Sequence, residues 1–269
     1  IWDELNTGYG TSQFYTIHLE DADVSNDHLL GGLQDNGMYA SLTADANDAW
    51  ARVHQDDGAF GALPTAANFI LTSSQSGRIY KKNVDANFNI TGFERIDPVG
   101  YTGTYNFINA FILDPLNNDR LYMLAGGRVW RKDSLSYLPV TDDWYNKDSS
   151  YWWNISQSQI PSLRASILAM THADNSFLMY GTTAGGRLYR LDSLDTGTPV
   201  RTEVTVPEMP SGYVSCLAPN DLDADEWIAT FSNYGIPSVW HTTDGGATWQ
   251  DVSGNLEENA DGSGSGPAV

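Results

Sequence analysis

The sequence predicts an all-β protein, a β-propeller of four-stranded antiparallel blades with five blades recognisable. Three observations lead there. First, a short phrase recurs five times: "LQDNGMYAS" around Gly37, "SQSGRIYKK" around Gly77, "AGGRVWRKD" around Gly127, "TAGGRLYRL" around Gly186 and "SNYGIPSVWHT" around Gly235. Each joins a polar turn containing Gly to a long or β-branched apolar residue and then Tyr or Trp, at a spacing of about 40 to 60 residues, the length of one blade. Second, the segments flanking each phrase repeat as well. Third, helical periodicity with capping signals is absent nearly everywhere.

The strands follow in order from that repeat. First strands are read at "QFYTIHL", "INAFIL", "SILAM" and "YVSCLA". Asp/Asn turns such as "DPLNNDR", "HADN" and "PNDLDADE" lead from them into second strands at "HLLGG", "NFILTSS", "RLYMLA", "SFLMYGT" and "EWIATFS". The five phrases are the second-to-third hairpins. Fourth strands with an early aromatic follow most of them, at "AWARV", "GFERI", "WWNIS" and "TWQDV". Asp, Asn, Pro and Gly punctuate these runs, while β-branched and aromatic residues fill them. "IWDELN" at the start reads as the fourth strand of a preceding blade. Residues 1–258 are therefore assigned to propeller blades and 259–269 to a Gly/Ser-rich connection into a next one. The expected whole is a larger ring of six to eight blades, or a tandem propeller. Five blades taken from such a ring would have two open flanks, against which remaining blades or partner subunits are expected to pack.

Composition narrows the function classes. The chain has 269 residues, 41% hydrophobic and 12% aromatic, enough for a sizeable core. A net charge of −20, with 14 Lys and Arg in all, argues against nucleic acid as a partner. No apolar run is long enough to span a membrane, and the opening "IWDELNTG" has neither a start methionine nor the pattern of a signal peptide, so a processed or fragmentary start is expected. Cys216, the single cysteine, reads as a small buried side chain of a strand.

One stretch carries a specific motif. Thr242, Asp244, Gly246, Thr248 and Trp249 in "TTDGGATW" match S/T-x-D-x-G-x-T-W, the Asp-box. Asp244 can accept hydrogen bonds from the turn backbone, Gly246 allows a positive φ, and Trp249 fills the space between sheets. The motif speaks for architecture and says little about activity. Together with "GLQDNGMYAS", "FILDPLNNDRLYMLAGGRVWR" and "FSNYGIPSVWHTTDGGATW", it makes the chain resemble the secreted Asp-box (BNR-repeat) propellers of Bacteroidota and related bacteria. These are relatives of sortilin-type and xyloglucanase-type propellers. The resemblance implies a secreted or cell-surface location.

That resemblance also frames the candidate chemistry. A sialidase would need three arginines converging on one carboxylate. Arg78, Arg128 and Arg187 instead occupy equivalent hairpin positions around one rim, and the family's "R-I-P" phrase is missing. Glycoside hydrolysis needs only two facing carboxylates. In xyloglucan-degrading propellers the resemblance places a catalytic Asp in an "R-T-D-x-G-G" phrase, and Asp35 of "LQDNG" falls at a similar place. Leu-Gln replaces Arg-Thr there and the second Gly is gone, so Asp35 reads as a turn former or as a catalytic candidate.

The longest insertion, "DDWYNKDSSYWWNIS", offers Trp144, Tyr145, Tyr151 and Trp152 for stacking on sugar rings, while Trp153 takes a fourth-strand core position. Core or loop packing is the competing reading for the whole cluster. Asp221, Asp223 and Asp225 in "DLDADE" resemble the start of a calcium loop but lack its Gly and bidentate Glu, which leaves a solvated turn as the other reading. No other cofactor is implied, and the five histidines are too dispersed for a local metal motif. "DSL" occurs at Ser134 and again at Ser193. It resembles the Asp-Ser/Thr-apolar acceptor of O-glycosylation in Bacteroidota, and a plain β-turn is its alternative. The function expected is a non-catalytic scaffold or a module binding protein or glycan, with a glycoside hydrolase as the alternative.

Overall fold

The computed structural model describes residues 12–20, 28–45, 47–64, 68–101, 103–148 and 150–256. "IWDELN" and "GPAV", read above as strands of neighbouring blades, lie outside the described residues, as does the Gly/Ser-rich connection. Among the described residues twenty strands form five separate antiparallel sheets of four, each a simple meander. Blade 1 is β1 (Phe14–Leu19), β2 (Leu29–Leu33), β3 (Gly37–Ser41) and β4 (Ala51–His54). Blade 2 is β5 (Gly58–Ala62), β6 (Phe69–Ser74), β7 (Arg78–Val84) and β8 (Ile90–Arg95). Blade 3 is β9 (Phe111–Asp114), β10 (Asn117–Ala125), β11 (Arg128–Lys132) and β12 (Trp152–Ile155). Blade 4 is β13 (Ala165–Ala169), β14 (Leu178–Thr182), β15 (Leu188–Asp192) and β16 (Val200–Glu203), and blade 5 is β17 (Val214–Asn220), β18 (Asp223–Phe231), β19 (Val239–Thr242) and β20 (Gln250–Asp251).

The first strands of all five blades line one central cavity of about 430 Å3, so the blades surround a common axis. Four hydrophobic clusters hold them, one between each consecutive pair. Leu30 and Met38 meet Ile70 and Phe88 between blades 1 and 2, and Leu71 and Ile79 meet Phe111 and Met123 between blades 2 and 3. Tyr122 and Ile155 meet Leu168 and Tyr180 between blades 3 and 4. Met179 and Phe177 meet Trp227, Phe231 and Trp249 between blades 4 and 5. Blade 2 comes so close to blade 1 that a Cβ on Gly58 would stand 2.0 Å from the carbonyl oxygen of Gly37, which is why the innermost strand there is Gly-rich.

Among the described residues no such cluster joins blade 5 to blade 1. Ile17 and Leu19 are exposed on blade 1, and Ile228 is exposed on blade 5. Cys216 corrects the expectation of a buried residue: its strand has a bulge between Val214 and Cys216, and the thiol faces away from blade 4, exposed. Burial of Val214 and Leu217 against blade 4 leaves that opposite face to Cys216.

Candidate functional site

The insertion of blade 3 builds the most distinctive site. Instead of staying beside its own sheet, the chain between β11 and β12 runs along the outer edge of blade 2. Asp142 donates its N–H to the Phe93 carbonyl at 3.1 Å and accepts the Phe93 N–H on its carboxylate at 2.8 Å. Asp148 donates its N–H to the Arg95 carbonyl, Thr141 binds the Glu94 carboxylate through backbone and hydroxyl, and Lys147 pairs with Asp97 at 2.6 Å. Gly92 permits this approach, since a Cβ there would lie 2.4 Å from Val140 Cγ1. The cover explains why the outer strands of blade 2 bury Lys81, Lys82, Glu94 and Asp97, all at most 5% exposed.

This ribbon carries Trp144 onto an aromatic floor. Its ring lies 4.1 Å from Phe93, 5.1 Å from Tyr80 and 6.0 Å from His54, centroid to centroid. The result is a cleft of about 340 Å3. Trp144 and Tyr145 form one wall, β7 supplies Arg78 and Tyr80, Arg95 ends β8, and His54 with Gln55 and Asp56 closes the side of blade 1. Tyr145 is 87% exposed and Trp144 42%.

The electrostatics of the cleft run against those of the chain as a whole. Lys82 is 3% exposed, donates to the Val53 carbonyl at 2.5 Å and places its ammonium 5.3 Å from the centre of the Trp144 ring. No carboxylate pairs with it among the described residues, and burial lowers its pKa to about 8. Arg78 has only a loose partner, Asp56 at 3.8 Å, whereas Arg95 is held by Asp97 at 2.7 Å and donates to the Trp144 carbonyl. His54 is 3% exposed, and neither ring nitrogen has a hydrogen-bond partner. Burial, and then the charges of Lys82, Arg52 and Arg78, push its pKa well below the usual value, so the ring is neutral. An unpaired buried polar group costs about 1–3 kcal/mol.

Of the four aromatic candidates, then, the structure brings Trp144 and Tyr145 together and leaves two aside. Trp152 is half-buried between blades 2 and 3, its indole N–H donating to the Ile96 carbonyl at 2.9 Å. Tyr151 is exposed with a left-handed φ of 60°, outside the cleft, and its carbonyl accepts the Asp133 N–H. Trp153 packs in part against the cluster between blades 3 and 4 and receives Arg131 over its face at 4.4 Å. His54 and Lys82 escaped sequence reasoning because nothing local marks a histidine at a strand end, or a strand lysine, as buried.

The remaining candidates are scattered. Asp35 sits at the tip of the β2–β3 turn with φ of 57°, exposed, its N–H donating to the Asp57 carboxylate at 2.9 Å. Asp221 pairs with His172 at 3.0 Å beside the central cavity, and Asp223 accepts the Asp225 N–H. Among the described residues no group of three or more His, Cys, Asp and Glu side chains could hold a metal ion. Ser134 and Ser193 occupy matching left-handed turns, φ 61° and 62°, each followed by a fully buried leucine.

In the Asp244 hairpin the carboxylate accepts the Thr248 N–H and hydroxyl at 2.8 and 2.6 Å and the Thr242 hydroxyl at 2.8 Å. Those bonds lower its pKa to about 2. Gly246 has φ of 91°, and the Trp249 indole donates to the Val204 carbonyl of blade 4. In the central cavity His18 accepts the Gly61 N–H at 3.0 Å, and burial lowers its pKa to about 4. No helix among the described residues is long and apolar enough to cross a membrane.

No protein-family model and no curated protein matches this sequence. Solved structures do match, at low identity. YCF48 from Cyanidioschyzon merolae is 15% identical with a TM-score of 0.56, over 95% of this chain and 72% of that one. A chain of a nidogen/laminin complex is 13% identical with a TM-score of 0.57, over 87% and 77% respectively. The GH74 enzyme of Niastella koreensis is 16% identical with a TM-score of 0.53, over 90% of this chain and only 45% of the enzyme. These likenesses define the class by fold alone: a β-propeller of four-stranded antiparallel blades.

Proposed function

We propose that this chain is a non-catalytic binding module of a secreted or cell-surface bacterial protein, and that it holds a saccharide in the cleft over blade 2. The observation that carries this reading is the delivery of Trp144 and Tyr145, from another blade, to the edge of a concave site floored by Tyr80 and His54. Exposed aromatic faces suit the apolar faces of sugar rings, and a few polar groups around an aromatic lining are the usual make-up of a small-ligand site. The architecture is that of an Asp-box propeller, with the Asp244 hairpin as a structural staple. Titration calorimetry with a panel of plant and algal oligosaccharides tests the reading. Tyr145→Ala should abolish binding without changing the melting temperature; an unaffected affinity would overturn it.

The exposed flanks of blades 1 and 5 support a second element of the proposal, that further blades or a partner subunit complete the ring. Light scattering on the isolated 269-residue chain should then show self-association, and a cooperatively melting monomer would refute it. Ser134 and Ser193 are the proposed O-glycan acceptors, checked by added hexose mass on natively expressed protein. Hydrolysis in the manner of xyloglucanases is the alternative. It is favoured by the Asp57 carboxylate accepting the Asp35 backbone N–H, which puts two acidic residues at one loop end, and reducing-sugar release lost on both Asp35→Asn and Asp57→Asn would establish it.

A further inference from the structure

We infer that the saccharide held by this cleft is anionic, a sugar bearing a carboxylate or a sulfate ester, with Arg78 as the group that meets its charge. The inference rests on the saccharide reading and adds the charge of the ligand. Two observations support it independently of the aromatic wall. The first is the contrast of sign. The chain carries −20, yet Arg78 and Arg95 line this cleft with Asp56 as its one lining carboxylate among the described residues, and the Lys82 ammonium lies against the Trp144 ring.

The second is incomplete pairing. Lys82 is buried with no carboxylate partner among the described residues, and Arg78 has one at 3.8 Å, beyond hydrogen-bonding distance. Other cations are paired more closely: Lys132, fully buried, holds Asp148 at 3.1 Å, and Arg120 reaches Asp133 and Asp195 at 2.7 and 3.0 Å. A half-exposed guanidinium that lines a cleft, with its nearest carboxylate beyond hydrogen-bonding distance, is a receptor for an oxyanion.

The geometry thus divides the labour. Trp144 and Tyr145 take the sugar face, and Arg78 takes the charge. The test is calorimetry on the intact chain with uronate oligomers, sulfated galactan oligomers and neutral glucan oligomers of matched length. The charged oligomers should bind about tenfold or more tightly than the neutral ones, and added salt should weaken them selectively. Arg78→Met should remove that preference at an unchanged melting temperature, and Arg78→Lys should restore part of it. Preference for the uronates, for the sulfated oligomers or for both supports the inference and identifies the anion. Neutral oligomers bound as tightly as charged ones, with Tyr145→Ala still abolishing binding, would overturn the inference and leave the saccharide reading standing. A folded chain that binds none of the three would overturn both.

Discussion

Blades 4 and 5 have the same topology but different burial of their second strands. In blade 4 the second strand, Leu178–Thr182, is buried at every residue. In blade 5 the corresponding stretch alternates: Trp227, Ala229 and Phe231 are buried, while Ile228 is exposed and Thr230 half-buried between them. A strand with sheets on both faces needs apolar residues throughout, whereas one with a single neighbour needs them at every second position. The difference therefore counts neighbours. Blade 4 has two, blades 3 and 5, and blade 5 has one among the described residues.

The sharpest way to break the comparison is to truncate adjacent residues. Met179→Ala and Tyr180→Ala should each cost about 2–5 kcal/mol in urea unfolding, because each fills a different interface. In blade 5 the pair should split: about 3–5 kcal/mol for Trp227→Ala and below about 1 kcal/mol for Ile228→Ala. Equal costs at Trp227 and Ile228 would mean that the outward flank is covered in solution.

The fourth strand of blade 5 gives a smaller effect. Trp249→Ala should cost about 3 kcal/mol while the proposed saccharide binding, per folded molecule, stays unchanged. Asp244→Ala should lower the melting temperature at neutral pH but not in strong acid. The native carboxylate has its pKa depressed from 3.8 to about 2, so its stabilisation is complete above about pH 4 and disappears as pH falls through about 2. A wild-type minus Asp244→Ala difference that persists at pH 1 would contradict the hydrogen-bonded hairpin.

The smallest effect concerns Cys216. Its thiol should react with an aromatic disulfide reagent in the native state, and Cys216→Ser should change stability by less than about 0.5 kcal/mol. Protection of the thiol at concentrations where the chain associates would place the contact on this flank.

Much of the blade pattern was legible because each blade spells it again. What escaped was the strand whose residues serve a neighbour. "GAFGA", the first strand of blade 2, has no β-branched residue, since Gly58 gives way to the backbone of blade 1, a demand no local pattern reveals. Val200–Glu203, at the outer edge of blade 4, lacks the early aromatic found in the other fourth strands. Cys216 misled because alternation was projected through a bulge. The candidate site was half legible. Its aromatics stood out in one insertion, and exposure separates Trp144 and Tyr145 from Trp152. Their partners His54, Tyr80 and Lys82 come from blades 1 and 2, joined to the insertion by a backbone and a side-chain hydrogen bond between Phe93 and Asp142 that composition does not announce.

The ribbon from blade 3 that seals blade 2 also gives the molecule a direction in time. Domains assemble from the N-terminus as the chain leaves the ribosome. Blades 1 and 2 can pair as soon as their strands emerge, and at that stage Tyr80, Lys82 and Phe93 are an uncovered outer surface. Only when Thr141 to Asp148 have cleared the exit tunnel can Trp144 be laid across them. The cleft is thus a late product of synthesis, absent from any nascent chain in which Thr141 to Asp148 have yet to emerge.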